Sequence, residues 1–169
     1  MGSILENVMA QMFTANGFSL HYFDTHKYGE LDFVLQNGTG IDLADCPDLG
    51  PVLMVLGLFC KGQTVIRNAE RLRIKESDRI EAMETELRKC GGVLSSAGGT
   101  ITIEGCAGAL HAPDGVLSGH NDHRVVMSLS VLHWRRDCGC HRRCRAITKS
   151  WPNFFTAIKP LGAEVEDVG

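Results

Sequence analysis

No apolar run in this chain approaches the roughly 20 residues of a membrane-spanning helix, and the N-terminus lacks the basic-then-apolar layout of a secretion signal. Charge of one sign is not in excess. Seventeen Lys and Arg against twenty Asp and Glu leave a net charge of −3, which gives no global reason to expect nucleic acid. Seven cysteines, an odd number without framework spacing, argue against a secreted disulfide scaffold and fit a reducing, cytoplasmic setting. What remains is ordinary globular material: 44% hydrophobic and 22% charged residues over 169 positions, enough for one domain or one and a fragment.

The stretch with most content is 71–92, Arg-Leu-Arg-Ile-Lys-Glu-Ser-Asp-Arg-Ile-Glu-Ala-Met-Glu-Thr-Glu-Leu-Arg-Lys-Cys-Gly-Gly. Ile80, Met83 and Leu87 recur at three- and four-residue steps, the stripe of an amphipathic helix, with Glu84 and Arg88 one turn apart on its wet side. Gly91 or Gly92 supplies the stop. At the front, Lys75, Glu76, Ser77, Asp78 and Arg79 gather where the helix should begin, with Arg73 just ahead. Free N–H groups and the positive end of the helix dipole would favour an anion there, and Glu76 is a candidate proton carrier. Read alone, the run is better taken as a solvated charge cluster at a helix start.

Two further segments overturn that preference: Gly119-His120-Asn121-Asp122-His123-Arg124-Val125-Val126-Met127 and Lys149-Ser150-Trp151-Pro152-Asn153-Phe154-Phe155. Together with Lys75-Glu76-Ser77-Asp78-Arg79, in this order and at these distances, they resemble the signature of the 3-phosphoshikimate 1-carboxyvinyltransferases, also called enolpyruvylshikimate-phosphate synthases. The resemblance runs over about residues 41–168, the last third or less of such an enzyme. It implies an inside-out α/β lobe of repeated βαβαββ units, helices inside and sheets outside, incomplete here. It also implies small-molecule substrates, shikimate 3-phosphate and phosphoenolpyruvate, with no metal and no other cofactor, no nucleic acid and no membrane. The missing N-terminal lobe would be needed for a complete site.

The resemblance also implies roles. Asp48 matches an aspartate that touches the shikimate hydroxyls and is a candidate base. Lys75 matches a lysine on the shikimate-phosphate ligand, and Glu76 a glutamate that moves a proton to the enolpyruvyl methylene. Arg79, Arg124 and Lys149 match the cations that clamp phosphoenolpyruvate, with His123 beside them. Trp151, Phe154 and Phe155 are expected in the core.

Residues 2–38 resemble something else, the restriction-endonuclease-like domain that ends a group of AAA-type ATPases. This makes 1–40 a nuclease-like fragment and 41–169 the partial lobe. Residues 3–16 read as a helix and Leu20–Phe23 and Leu31–Leu35 as two short strands. Glu6 and Asp32 would be metal ligands in that domain, but the glutamate and lysine that would complete such a site do not follow. A non-catalytic chimera is therefore the alternative to an enolpyruvyl transferase. A nucleotide-sugar enolpyruvyl transferase is a further one, against which both the 75–79 and 122–124 motifs speak.

The second segment repeats the first. Asp48 precedes Lys75 by 27 residues, and Asp122 precedes Lys149 by the same 27. Pro51 suits the first turn of a helix that is apolar all round, Val52 to Cys60, which Gly62 would end. Asn121 or Asp122 would cap its counterpart, Val125 to Leu132. Thr64-Val65-Ile66 reads as a strand, and Val93-Leu94 and Thr100 to Ile103 as two more around a turn. Pro152 starts a last short helix and Ala163 to Glu166 reads as a strand. Polar groups from both copies should converge on one face. Laid over the first copy, Thr64–Arg67 falls on Cys138-Gly139-Cys140-His141, where an apolar strand is expected and an Arg-, His- and Cys-rich run stands instead. That run is compatible with a shifted reading frame, because the other frame can give Ala-Val-Ile-Asp-Gly-Ala. Cys138, Cys140 and Cys144 do not have the spacing of a zinc framework.

Overall fold

The structure, a computed structural model, describes residues 20–25, 29–35, 41–44, 47–106, 109–134, 141–142 and 144–161. The helix expected over 3–16, the strand expected over 163–166, and most of the 135–143 run lie outside these residues. The chain forms two compact units, Met1–Ile41 and Asp42–Gly169. In the first unit, β1 (Leu20–Thr25) pairs antiparallel with β2 (Gly29–Leu35), Leu20 opposite Leu35 and Thr25 opposite Gly29, with an irregularity between His21 and Phe23. Both strands run further towards the turn than alternation alone suggests.

The second unit is built round helix α1 (Gly50–Phe59). Its sequence is apolar on every side, and Leu53, Met54, Val55 and Leu58 are all essentially inaccessible to solvent. Such a helix needs covering all round. It packs on strands β4 (Lys61–Arg67) and β6 (Thr100–Cys106) on one side and on helices α2 (Arg79–Arg88) and α3 (His123–Trp134) on the others. Gly57 permits the close approach: a Cβ there would stand 3.0 Å from Ile103 of β6. The four-stranded sheet has the order β3 (Ile41–Asp42), β4, β6, β5 (Val93–Ala97). β6 runs antiparallel to both neighbours, with Ile66 opposite Ile101 and Ala97 opposite Thr100, so β4 and β5 are parallel and α2 lies between them in the chain. Helix inside and sheet outside is the expected α/β arrangement.

α2 keeps Ile80, Met83 and Leu87 fully buried. Its C-terminus closes on Gly91 at φ +86°, with Gly92 N–H donating to the Leu87 carbonyl and Gly91 N–H to that of Arg88. This double bond pattern satisfies the last orphan carbonyls and requires a left-handed residue, which glycine supplies. One expectation fails here: Glu84 is not on a wet face. Arg88 lies over it, donating to Glu84 Oε2 at 2.7 Å and to the Leu94 carbonyl at 2.7 Å, so the pair shields the carboxylate from water. Gly62 likewise does not end α1. The helix stops at Phe59 and Gly62 sits within β4 at φ +80°.

Among the described residues the second copy shows less regular structure than the first. β7 (Leu117–Ser118) pairs in parallel with β8 (His141–Arg142), which places a strand next to the position where one was expected. α3 then packs with a 3₁₀ turn, Cys144–Lys149, and Val126, Ala146, Ile147 and Phe154 form a small core of their own. Phe154 belongs to the five-residue helix α4 (Phe154–Ile158). Trp151, expected in the core, is 45% exposed, because it meets Phe154 edge-on from the rim, at 5.4 Å between centroids.

Candidate anion site at the helix ends

The charged run 75–79 does not open the helix as periodicity suggests. α2 begins at Arg79, and Asp78 is its cap, accepting from the Ile80 and Glu81 N–H groups at 3.1 and 3.0 Å. Those N–H groups are therefore occupied by protein and do not offer the free anion site anticipated from the helix dipole. Lys75, Glu76 and Ser77 form a bend between a 3₁₀ turn, Glu70–Ile74, and the cap. Lys149 is placed similarly, as the last residue of the 3₁₀ turn 144–149, five residues before α4. Lys149 thus ends a 3₁₀ turn and Lys75 directly follows one, and neither stands at a helix start. Arg73 turns away, towards Asp78 at 2.9 Å and Ser96 at 3.1 Å.

Arg79 is the hub. Its side chain is 1% exposed, and each of its three nitrogens meets a different carboxylate: Nε to Asp122 Oδ2 at 2.8 Å, Nη1 to Asp48 Oδ1 at 2.8 Å, and Nη2 to Glu76 Oε2 at 2.6 Å. A guanidinium fork is the side chain able to do this, since its donors are fixed in one plane. Asp48 is shared further, with Lys75 Nζ at 3.5 Å and Arg124 Nη2 at 3.3 Å. The two aspartates that the repeat equates have different duties. Asp122 is inaccessible, caps α3 through the Arg124 N–H at 2.8 Å, and also accepts from Ser77 Oγ at 3.1 Å. Asp48 caps nothing: Leu49 holds the cap position of α1 without a side-chain bond, and the Asp48 side chain is 48% exposed and faces the cations.

His123 is 8% exposed, and Glu76 Oε1 lies 4.0 Å from its Nδ1. Among the described residues His123 Nδ1 and Arg124 Nε, like Glu84 Oε1 elsewhere on α2, are buried without a hydrogen-bond partner. Lys149 stands beside the cluster, its Nζ donating to the Asn121 carbonyl at 3.1 Å. Six of the seven residues singled out by sequence are thus linked to one another, and Lys149 is joined to the residue preceding Asp122. The repeat equated Asp122 with Asp48, but nothing in it showed that both would grip one arginine.

Electrostatics follows the geometry. Burial opposes ionisation of Asp48, yet the Arg79 hydrogen bond and the charges of Arg124 and Lys75 outweigh it and hold the carboxyl below its usual range. Asp122 is lowered in the same way, burial being overcome by Arg79, the Arg124 N–H and Ser77. Arg79 goes up, its burial more than offset by Asp122 and Asp48. A carboxyl lowered on folding contributes stability above its unfolded pKa of about 4 and loses it as pH falls towards the folded value. The urea midpoint should therefore be flat from pH 7 to 5 and fall below about pH 4. Asp122→Asn should flatten that fall; an equally steep fall in the variant would remove Asp122 as its source.

These features define the class: an α/β lobe whose inner helices carry a rim of cations and carboxylates at their ends. The EPSP synthase (3-phosphoshikimate 1-carboxyvinyltransferase) family model matches residues 7–158, a range that includes the hairpin of the first unit. The chain belongs to that family. It is 38% identical over 132 residues to the 3-phosphoshikimate 1-carboxyvinyltransferase of Clostridium acetobutylicum, covering 78% of this chain and 30% of that protein. The Methanococcoides burtonii enzyme of the same name is 40% identical over 129 residues, 76% of this chain and 29% of its own length. That of Clostridium perfringens strain 13 is 36% identical over 164 residues, 94% of this chain and 35% of its own length. An EPSP synthase structure from Acinetobacter baumannii superposes with a TM-score of 0.70 at 24% identity, over 93% of this chain and 39% of that one. The chain thus spans about 30% of the length of the curated relatives it matches.

Proposed function

We propose that this rim takes part in transfer of the enolpyruvyl group from phosphoenolpyruvate to shikimate 3-phosphate, a step in aromatic amino-acid biosynthesis. One observation supports the reading: Asp48, Lys75, Glu76, Arg79, His123 and Arg124 are linked by ion pairs, with His123 Nδ1 and Arg124 Nε buried and without a partner among the described residues. The reaction adds an alcohol across an enol double bond, a proton going to the methylene carbon, and then expels phosphate as a methyl proton is withdrawn. It needs a base, an acid and dense positive charge for a phosphorylated carboxylate.

In this reading Asp48 approaches the shikimate hydroxyls, Lys75 contacts the shikimate-phosphate ligand, and Glu76 is the proton carrier. Arg79, Arg124 and Lys149 face phosphoenolpyruvate, with His123 close by. Asp48 is a weak base while three cations hold it, and a ligand trianion that drew Arg124 and Lys75 away would strengthen it. The remaining phosphate contacts come from a second lobe, in a longer chain or a partner.

The test is phosphate release by the purified 169-residue chain with both substrates, alongside calorimetric titration with phosphoenolpyruvate. Saturable binding that weakens at least tenfold in Arg124→Met, with no turnover by this chain alone, is expected. Clear turnover would refute the need for a second lobe. Absence of binding, or binding indifferent to Arg124, would sink the assignment of the rim.

A further inference from the structure

Glu86 belongs to none of the three motifs, yet its side chain is 1% exposed and ionic. It lies on α2 two turns beyond Arg79, and on the same inner face. Oε2 accepts from the Ser118 N–H at 2.9 Å and from Lys89 Nζ at 2.8 Å, and Oε1 faces His120 Nε2 at 2.8 Å. Lys89 also reaches the Val116 carbonyl.

Between Ser118 and Asp122 the chain makes a turn closed by Asp122 N–H to the Gly119 carbonyl at 2.8 Å, with His120 at φ +47° and Asn121 at φ +57°. Two successive non-glycine residues in the left-handed region carry a cost, smaller for histidine and asparagine than for most residues, which contacts around the turn can offset. α2 makes such contacts at both ends of the turn. Arg79 holds Asp122, and Glu86 holds Ser118 and His120; seven residues of helix rise, about 10 Å, span the turn. Everything downstream is referenced to this turn: the Asn121 carbonyl that receives Lys149, the Asp122 carboxylate that caps α3 and grips Arg79, and the direction in which His123 and Arg124 leave the helix start.

We infer that Glu86 is a positioning residue, a carboxylate latch that keeps the Gly119–Asp122 turn left-handed and so sets the placement of His123, Arg124 and Lys149. It touches no proposed ligand and acts through His120 and Ser118. Only the choice of ligand in the test below rests on the enolpyruvyl-transfer reading.

The experiment is residue-resolved amide hydrogen exchange on the whole chain, unsubstituted and as Glu86→Gln, Glu86→Ala and Glu86→Ala with His120→Gly, followed by phosphoenolpyruvate titration of each. Glu86→Ala should speed exchange at Ser118, Asp122 and Arg124 at least tenfold while core amides such as Ile103 change less than twofold. Glu86→Gln, which keeps the acceptor, should fall between. The glycine should restore protection at Asp122 and Arg124 and recover most of a lost affinity, because glycine takes positive φ without penalty. A merely structural role would not be rescued this way. Unchanged exchange at 118–124, uniform acceleration throughout the chain, or failure of the glycine to rescue would each overturn the latch. If the unsubstituted chain binds no phosphoenolpyruvate, the functional reading fails and exchange alone decides the latch.

Discussion

Replacing Arg79 with methionine is expected to destabilise the protein by about 3–5 kcal/mol, the scale for breaking a buried ion pair by removing one partner. The cost comes from what is left behind. Asp122 is inaccessible to water and loses its main counter-charge, while Asp48 and Glu76 lose the cation that offsets their mutual repulsion. Methionine fills much of the volume, so a cavity is not the cause. Arg79→Lys keeps the charge but not the fork; one ammonium cannot meet three carboxylates from one place, and recovery should be partial. Urea unfolding at pH 7 measures this. A loss below 1 kcal/mol for Arg79→Met would show that the three carboxylates are satisfied in some other way.

Asp122→Ala should cost about 2–4 kcal/mol, of which about 1 is the cap of α3 and the rest the hydrogen-bonded charge on Arg79. Asp48→Ala, although it removes a partner from the same arginine, should cost less than about 1 kcal/mol. Its side chain is 48% exposed, and exposed ion pairs contribute little. The contrast is the informative part, since the repeat makes these two aspartates equivalent in sequence. Combining Arg79→Met with Asp122→Ala should show a coupling above about 1 kcal/mol. Equal costs for the two aspartates, or simple additivity in the double variant, would contradict the placement of Asp122 as the buried partner.

Much of the fold was legible because it rests on local pattern. The all-apolar stretch 52–60 could only be a covered helix, and the 80–83–87 stripe a half-covered one. The strand at 64–66 and the pair around Gly98-Gly99 followed from alternation and turn residues. Boundaries were less legible. Periodicity puts the charged run at the start of α2, but Asp78 is the cap and the four residues before Arg79 lie outside the helix. Glu84 and Trp151 were misplaced for one reason: burial depends on which neighbour lies over a side chain, Arg88 in one case and the rim position beside Phe154 in the other.

The site divides in the same way. The family resemblance carried by three motifs implied Asp48, Lys75, Glu76, Arg79, His123, Arg124 and Lys149, and the repeat of 27 residues led to the expectation that polar groups of both copies converge on one face. Residue types in order also carried the family resemblance, and the inside-out arrangement was what that resemblance implied. Only the tertiary structure decided who holds whom. Arg79 is shared among three carboxylates, Asp122 is a buried cap where Asp48 is an open acceptor, and Glu86 grips a strained turn thirty-two residues away in the chain. Hydrogen bonds and ion pairs across such distances depend on how helices are placed against each other. Sequence spacing carries that information along one helix, where 3.6 residues per turn set the geometry, and carries none of it between helices.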